Sequence, residues 1–283
     1  MSSAGSPKPG RRCPVFIIGC ARSGTTWLAT IFACSEGFHT TIEDPDIFPL
    51  VDGAVLYWNR RTLFLDRLIS LYRAQLLRAG ERIYVDKSHQ NIWLVEELDK
   101  VFPSALYVAI ERTAYAAIAS MMLHFDVRQH FVRWRRYPVP NAHLGITEAD
   151  TLGYDDLPLS IKCALRWRSH HERLAELRRT LGDRLHILCY GDLVEKTDVE
   201  LEKLANFVGR RLQPVAPLRA PLEKWQQMLS HRQTNEIDRV LDEKLRDRCT
   251  VLSPCGPERQ FAKPWQRDVA VVAPPDRVQF SED

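Results

Sequence analysis

The stretch GCARSGTTWL, Gly19 to Leu28, has the residue types and spacing to hold a phosphate. An apolar run leads into Gly19, Gly24 follows after four intervening residues, and Thr25 and Thr26 come next. At the start of a helix, the backbone N–H groups of Arg22 to Thr26 form an anion cradle. Ser23, Thr25 and Thr26 add hydroxyl donors, and Arg22 adds positive charge. Nucleotide-hydrolysing loops of this outline carry a lysine after the second glycine, which reaches the outer phosphates. Thr25 stands in that place here. The loop suits a phosphate but lacks the residue that a triphosphate demands. The plain alternative is a tight strand-to-helix turn with a threonine cap.

Three further groups carry candidate chemistry. In VDKSHQN, Lys87 and His89 lie two apart and share one side of an extended segment. A neighbouring ammonium keeps an imidazole neutral, as a general base requires. The competing reading is a helix entry capped by Ser88 or Asn91, which leaves Lys87 unexplained. Glu43 and Asp44 sit in the proline-bounded stretch TTIEDPDIFP, where carboxylates are most often solvated. Arg112 closes a strand, with Ser120 eight residues on; an arginine there is commonly a surface group. His39 has no distinguishing context, and His170 and His171 sit in a charged helical stretch without an evident role.

These groups need a frame that gathers them. Val15 to Gly19 reads as a buried parallel strand, and Thr25 to Cys34 as a helix with Trp27, Leu28, Ile31 and Phe32 on one face. Thr40 to Pro49 reads as a loop and Leu63 to Ala79 as an amphipathic helix. RIYVDKS is a strand, Ile92 to Val101 a helix, Ala105 to Arg112 a strand and Ala114 to Leu123 a helix. Arg184 to Leu193 is a strand and turn; Asp198 to Val208 is a helix closed by Gly209. The alternation predicts an α/β fold: a central parallel sheet flanked by helices, like the P-loop nucleotide hydrolases. Ligands of such sheets lie beyond the carboxyl ends of the strands, where the polar residues above fall. Phe125 to Leu159 shows no clear period and reads as a lid or binding loop, about 124–160. Beyond Arg211 the chain reads as mainly helical, then proline-rich after Ser253. The expected division is a disordered leader, 1–13, a single domain, 14–252, and an extension, 253–283.

A net charge of +3 argues against general nucleic-acid binding, while the arginine-rich basic set suits bidentate recognition of phosphate, sulfate or carboxylate. Seven cysteines without a CxxC pair argue against a disulfide framework or zinc site and for a reducing compartment. No apolar segment has the length of a bilayer span and the N-terminus lacks a secretion-signal core, so a cytoplasmic location with no membrane partner is expected.

Taken in order, four segments resemble the sulfotransferases that use 3′-phosphoadenosine 5′-phosphosulfate (PAPS). GCARSGTTWL resembles the family's phosphosulfate loop, with Ala21 where a proline is common. The resemblance implies that Arg22, Ser23, Gly24, Thr25, Thr26 and Trp27 hold the 5′-phosphate, with no metal required. Arg112 and Ser120 match the family's 3′-phosphate pair, although Thr113 and Ala114 depart from the residues that usually follow the arginine. YGDL, Tyr190 to Leu193, stands for the family's YEDL and places Tyr190 near the adenine. Trp167 matches a recurrent helix tryptophan and reads as packing. The segments cover about Val15 to Gly209.

The resemblance implies in-line transfer of a sulfuryl group to an acceptor hydroxyl, with adenosine 3′,5′-bisphosphate as product. Lys87 and the loop donors would stabilise charge on the transferring group. KSH places His89 where one branch has its histidine base; EDPDIF makes Glu43, or secondarily Asp44, the counterpart of a glutamate base in another. His89 is the favoured base. The acceptor is expected to be a carbohydrate or a small molecule or natural product, glycosylated or not. RQHFVRWRRYP, Arg128 to Pro138, is read evenly as an acceptor-side loop or as an amphipathic surface helix burying Phe131, Trp134 and, secondarily, Tyr137. Two alternatives remain: a P-loop kinase-like enzyme, which lacks its lysine and magnesium carboxylates here, and a non-catalytic nucleotide-binding protein.

Overall fold

A computed structural model describes residues 13–216 and 222–241. Most of the expected leader, the end of the expected domain after residue 241 and the extension 253–283 lie outside the described residues.

Five strands form one parallel sheet: β1 Val15–Ile18, β2 Phe38–Ile42, β3 Ile83–Lys87, β4 Leu106–Glu111 and β5 Leu185–Cys189, in the order β2-β3-β1-β4-β5. The helices are α1 Thr25–Ala33, α2 Phe48–Leu56, α3 Thr62–Ala79, α4 Val95–Val101, α5 Ala114–Met122, α6 Phe125–Val132, α7 Leu159–Leu181, α8 Tyr190–Glu195, α9 Thr197–Val208, α10 Trp225–Met228 and α11 His231–Val240. Successive side chains of a strand face opposite ways, and both faces are covered here. Phe16, Ile18, Tyr107 and Ala109 enter one core with Leu68, Tyr72, Leu174 and Leu177. Val15, Ile17, Val108 and Ile110 enter the other with Trp27, Leu28, Leu201 and Leu204. That two-sided burial explains the unbroken apolar run of β1. Each such side chain contributes roughly 1.5–3 kcal/mol relative to exposure.

The elements differ from the expectation in four places. Within the expected loop, Thr40 to Ile42 belong to β2, because His39, Thr40 and Thr41 pair with Tyr84, Val85 and Asp86 along β3, and Phe48 and Pro49 open α2. The helix expected from Ile92 divides into a 3-10 turn, His89–Trp93, and α4. Tyr190 opens α8 rather than ending a strand. The region 124–160 is not wholly irregular: α6 buries Val127 and Phe131, and Trp134 is buried beyond it, as the surface-helix reading has it. A third core of α5, α6, α7 and α11 residues holds this region down.

Candidate active site

The order β2-β3-β1-β4 brings four strand ends together, and the candidate residues follow those ends. Beyond β1, Gly19 N–H donates to His89 O at 3.1 Å, tying the first loop to the segment after β3. Gly24 precedes α1 with φ +100° and no side-chain cap. The first-turn N–H groups of α1 have no helical carbonyl ahead of them and stand at the positive end of the helix dipole. A β-carbon on Gly24 would lie 2.5 Å from Tyr190 Cδ2, so only glycine lets loop and ring approach this closely. Arg22 also has positive φ, +69°, a left-handed conformation that non-glycine residues adopt uncommonly.

The nucleotide-side residues are linked by direct contacts. Arg22 Nε donates to Ser120 Oγ at 3.2 Å, and Arg112 Nη1 donates to Arg22 O at 3.1 Å. The Arg112 guanidinium lies 4.8 Å from the Tyr190 ring centroid, and its buried Nε has no hydrogen-bond partner. Trp27 meets Tyr190 edge-on at 5.7 Å and donates its indole N–H to Val215 O at 3.0 Å. Ser23 and Thr25 are buried within the loop, whereas Thr26 is exposed. Trp167, expected only to pack, also donates to Arg112 O at 3.3 Å and stacks on His171, which pairs with Glu111 at 2.5 Å. Residues of α7 thus hold the strand end that presents Arg112.

Lys87, His89 and Glu43 meet at the ends of β3 and β2. Glu43 follows β2, its N–H bonded to Lys87 O at 3.0 Å, with φ +48°. Lys87 Nζ donates to Glu43 Oε1, and His89 Nδ1 lies 3.6 Å from the same oxygen. The Lys87 side chain is 3% exposed, that of Glu43 41%. Burial acts to raise the Glu43 carboxyl, but the contacts with His89 and Lys87 outweigh it and bring the carboxyl to about 2. Burial lowers His89 to about 4, opposed by Glu43 and reinforced by Lys87. At neutral pH the site therefore holds a carboxylate beside a neutral imidazole. Burial lowers Lys87 as well, with Glu43 opposing. Asp44 is turned away: Oδ1 accepts from Asp46 and Ile47 N–H, and Oδ2 from Gln75.

Asp86 holds this segment in place, a task that its position in VDKSHQN does not disclose. Fully buried, it accepts from Thr41 Oγ1 (3.1 Å), Tyr72 Oη (3.2 Å), Ser88 N (3.0 Å) and Asn91 Nδ2 (2.9 Å). Burial raises its carboxyl to about 6 against the pull of those donors. The signal available in the sequence is a run of six polar residues, Asp86 to Asn91, that begins within a strand; all six are buried. Among the described residues, no group of three or more His, Cys, Asp or Glu side chains is placed to hold a metal ion, and no helix is long and apolar enough to cross a membrane.

The fold is similar to solved sulfotransferases. The sulfotransferase domain from the curacin biosynthetic pathway aligns over 87% of this chain and 94% of its own, with TM-score 0.51 and 17% identity. The sulfotransferase domain from the Synechococcus PCC 7002 olefin synthase aligns over 82% and 97%, with TM-score 0.50 and 17% identity. Mouse sulfotransferase SULT7A1 complexed with PAP aligns over 86% and 88%, with TM-score 0.50 and 17% identity. At such identities the likeness shows the fold alone. No curated protein matches the chain. The family model described as "Sulfotransferase family" matches residues 14–214. Parallel sheet, capless first helix and family match agree: the chain belongs to the sulfotransferase family.

Proposed function

We propose that this sulfotransferase moves a sulfuryl group from PAPS to an acceptor hydroxyl of a carbohydrate or of a small molecule or natural product, glycosylated or not. The observation that carries the reading is the convergence of Lys87, His89 and Glu43 on one side of the anion cradle and of Arg112 and Ser120 on the other. The uncapped first turn of α1 fits a 5′-phosphate, and the unpartnered Arg112 Nε fits a 3′-phosphate. Tyr190, already facing Arg112, offers a ring for the base. When bound, PAPS supplies the sulfuryl group and a phosphate leaving group.

The residues then divide the work. Lys87, buried and pre-placed, offers positive charge where the bridging oxygen gains negative charge, in surroundings that screen it little. Glu43 faces His89 Nδ1; a proton held there leaves the Nε2 lone pair to take the acceptor's hydroxyl proton. The lowered imidazole stays ready as a base at neutral pH. A second reading makes Glu43 itself the base. It is favoured by one observation: both ring nitrogens of His89 are covered, whereas the Glu43 side chain is 41% exposed.

The free thiols of Cys13, Cys20, Cys34, Cys163 and Cys189 support placing the enzyme in the cytoplasm. The test is incubation with PAPS and a panel of hydroxyl acceptors, with mass spectrometry for the sulfated product and for adenosine 3′,5′-bisphosphate. Formation of both without added metal supports the proposal. Bisphosphate binding without transfer to any acceptor would favour the non-catalytic alternative.

A further inference from the structure

Behind the acceptor side of His89 lies a polar chain that the transfer chemistry leaves unused. Arg166, on α7, is 1% exposed and forms no ion pair with any described carboxylate within 4 Å. It donates Nη2 to His143 Nε2 at 2.9 Å and Nη1 to His130 Nδ1 at 3.4 Å, and its Nε has no partner. A guanidinium only donates, so both imidazole nitrogens that it meets must carry lone pairs. His130 is thereby fixed with its proton on Nε2, which stands 3.7 Å from Asp52 Oδ1. Gln90, next to His89 in the chain, donates to the same Asp52 oxygen at 2.7 Å. The buried positive charge thus faces the Asp52 carboxylate across a neutral ring whose N–H is turned toward it. An isolated buried charge is costly, and a relay to a carboxylate is the compensation that this interior offers.

The relay ends where an acceptor would lie. Asp52 sits one helical turn along α2 from Phe48, whose ring is 6.0 Å from that of His89. Its side chain is 29% exposed; Oδ1 accepts from Gln90 and faces His130 Nε2 beyond hydrogen-bond distance, and Oδ2 has no described partner. Burial raises the Asp52 carboxyl to about 6, with Arg166 and Gln90 opposing, so it is ionised at neutral pH. Tyr57 and Tyr137, paired edge-on at 5.4 Å, lie close enough for Asp52 to act on Tyr137.

We propose that Asp52 is an acceptor-recognition residue, and that Arg166, acting through His130, positions it to receive a second hydrogen-bond donor of the acceptor, a hydroxyl or an ammonium, set apart from the hydroxyl that is sulfated. This deepens the transfer reading above and rests on it. The ring pair beside Asp52 suits a ring-bearing acceptor such as a sugar.

The test compares three acceptors under PAPS: 2-naphthol, with one hydroxyl; an aryl glucoside, with several; and an aryl aminoalcohol. Expected is a wild-type preference for at least one of the latter two over naphthol, which Asp52→Asn reduces by about tenfold, the worth of one charge-assisted hydrogen bond. The loss should fall on KM rather than kcat, and which acceptor suffers identifies hydroxyl or ammonium. Arg166→Gln should reduce the same preference and free the His130 tautomer, read by 15N NMR; a merely structural arginine would move neither selectively. A bisphosphate Kd within about threefold of wild type certifies the folded site in each variant. Equal loss on all three acceptors, or an unchanged preference, overturns the proposal, as does a bisphosphate-binding wild type that prefers naphthol or uses none of the three. Failure to bind the bisphosphate sinks the transfer reading instead.

Discussion

Replacing Arg112 with alanine should remove recognition of one phosphate while sparing the rest of the nucleotide site. The guanidinium spends Nη1 on Arg22 O and faces Tyr190, while its buried Nε has no partner. A charge-assisted bond from that edge to a 3′-phosphate is worth about 2–3 kcal/mol. Loss of the guanidinium's bond to Arg22 O weakens every nucleotide alike, by about 1 kcal/mol, because it loosens the loop that holds the 5′-phosphate. The expected change is therefore unequal. Binding of adenosine 3′,5′-bisphosphate should fall by roughly two to three orders of magnitude, and binding of adenosine 5′-monophosphate by about fivefold. Titration calorimetry of both nucleotides against wild type and variant measures the difference. Arg112→Lys should recover only part of the loss, since an ammonium keeps the charge but not the planar fork. Equal weakening of the two nucleotides would refute the assignment and make Arg112 a loop support only.

Lys87→Met should lower kcat by about two orders of magnitude, the scale of one lost transition-state donor, with bisphosphate affinity nearly kept; wild-type turnover would remove Lys87 from the mechanism. His89→Asn and Glu43→Gln, compared at saturating donor, separate the two base readings: the base variant loses about a hundredfold or more, the orienting one less. Gly24→Ala should abolish bisphosphate binding, because its β-carbon meets Tyr190 and its φ of +100° disfavours alanine; retained binding would show a loop able to shift. Acid should destabilise the fold. His89 and His130 are held near 4 and 3 by burial, and His143 and His170 well below their ordinary value, so the unfolded chain gains their protons as pH falls through 6.5. Asp52 and Asp86, raised to about 6, oppose this by taking protons in the folded state above the unfolded value of 3.8. Four imidazoles against two carboxyls leave a net loss of up to about 3 kcal/mol per pH unit between pH 6 and 4. Urea denaturation across that range measures it; a flat or rising profile would contradict the buried neutral cluster.

The sheet was legible because β1 and β4 are buried on both faces and so are written as unbroken apolar runs, β1 leading into the glycine of the first loop and β4 into Glu111 and Arg112. β2 was hidden because FHTTI is half polar at the sheet's edge and is made a strand by pairing with β3. The first loop and Arg112 with Ser120 were legible as spacings, and the structure joins them through Arg22, whose side chain and carbonyl take one contact each. The juxtaposition of Glu43 with Lys87 was not readable from spacing, since it depends on β2 lying beside β3. Asp52, His130 and Arg166 come from three helices far apart in the chain. Their relation exists only once α2, α6 and α7 pack together, and no local pattern announces it.

The most direct test of the account is calorimetric titration with adenosine 3′,5′-bisphosphate in the absence of magnesium, beside ATP with magnesium. The account predicts saturable binding of the bisphosphate and little of the triphosphate, because the loop has Thr25 where a triphosphate loop has lysine. Binding of magnesium-ATP alone would contradict it.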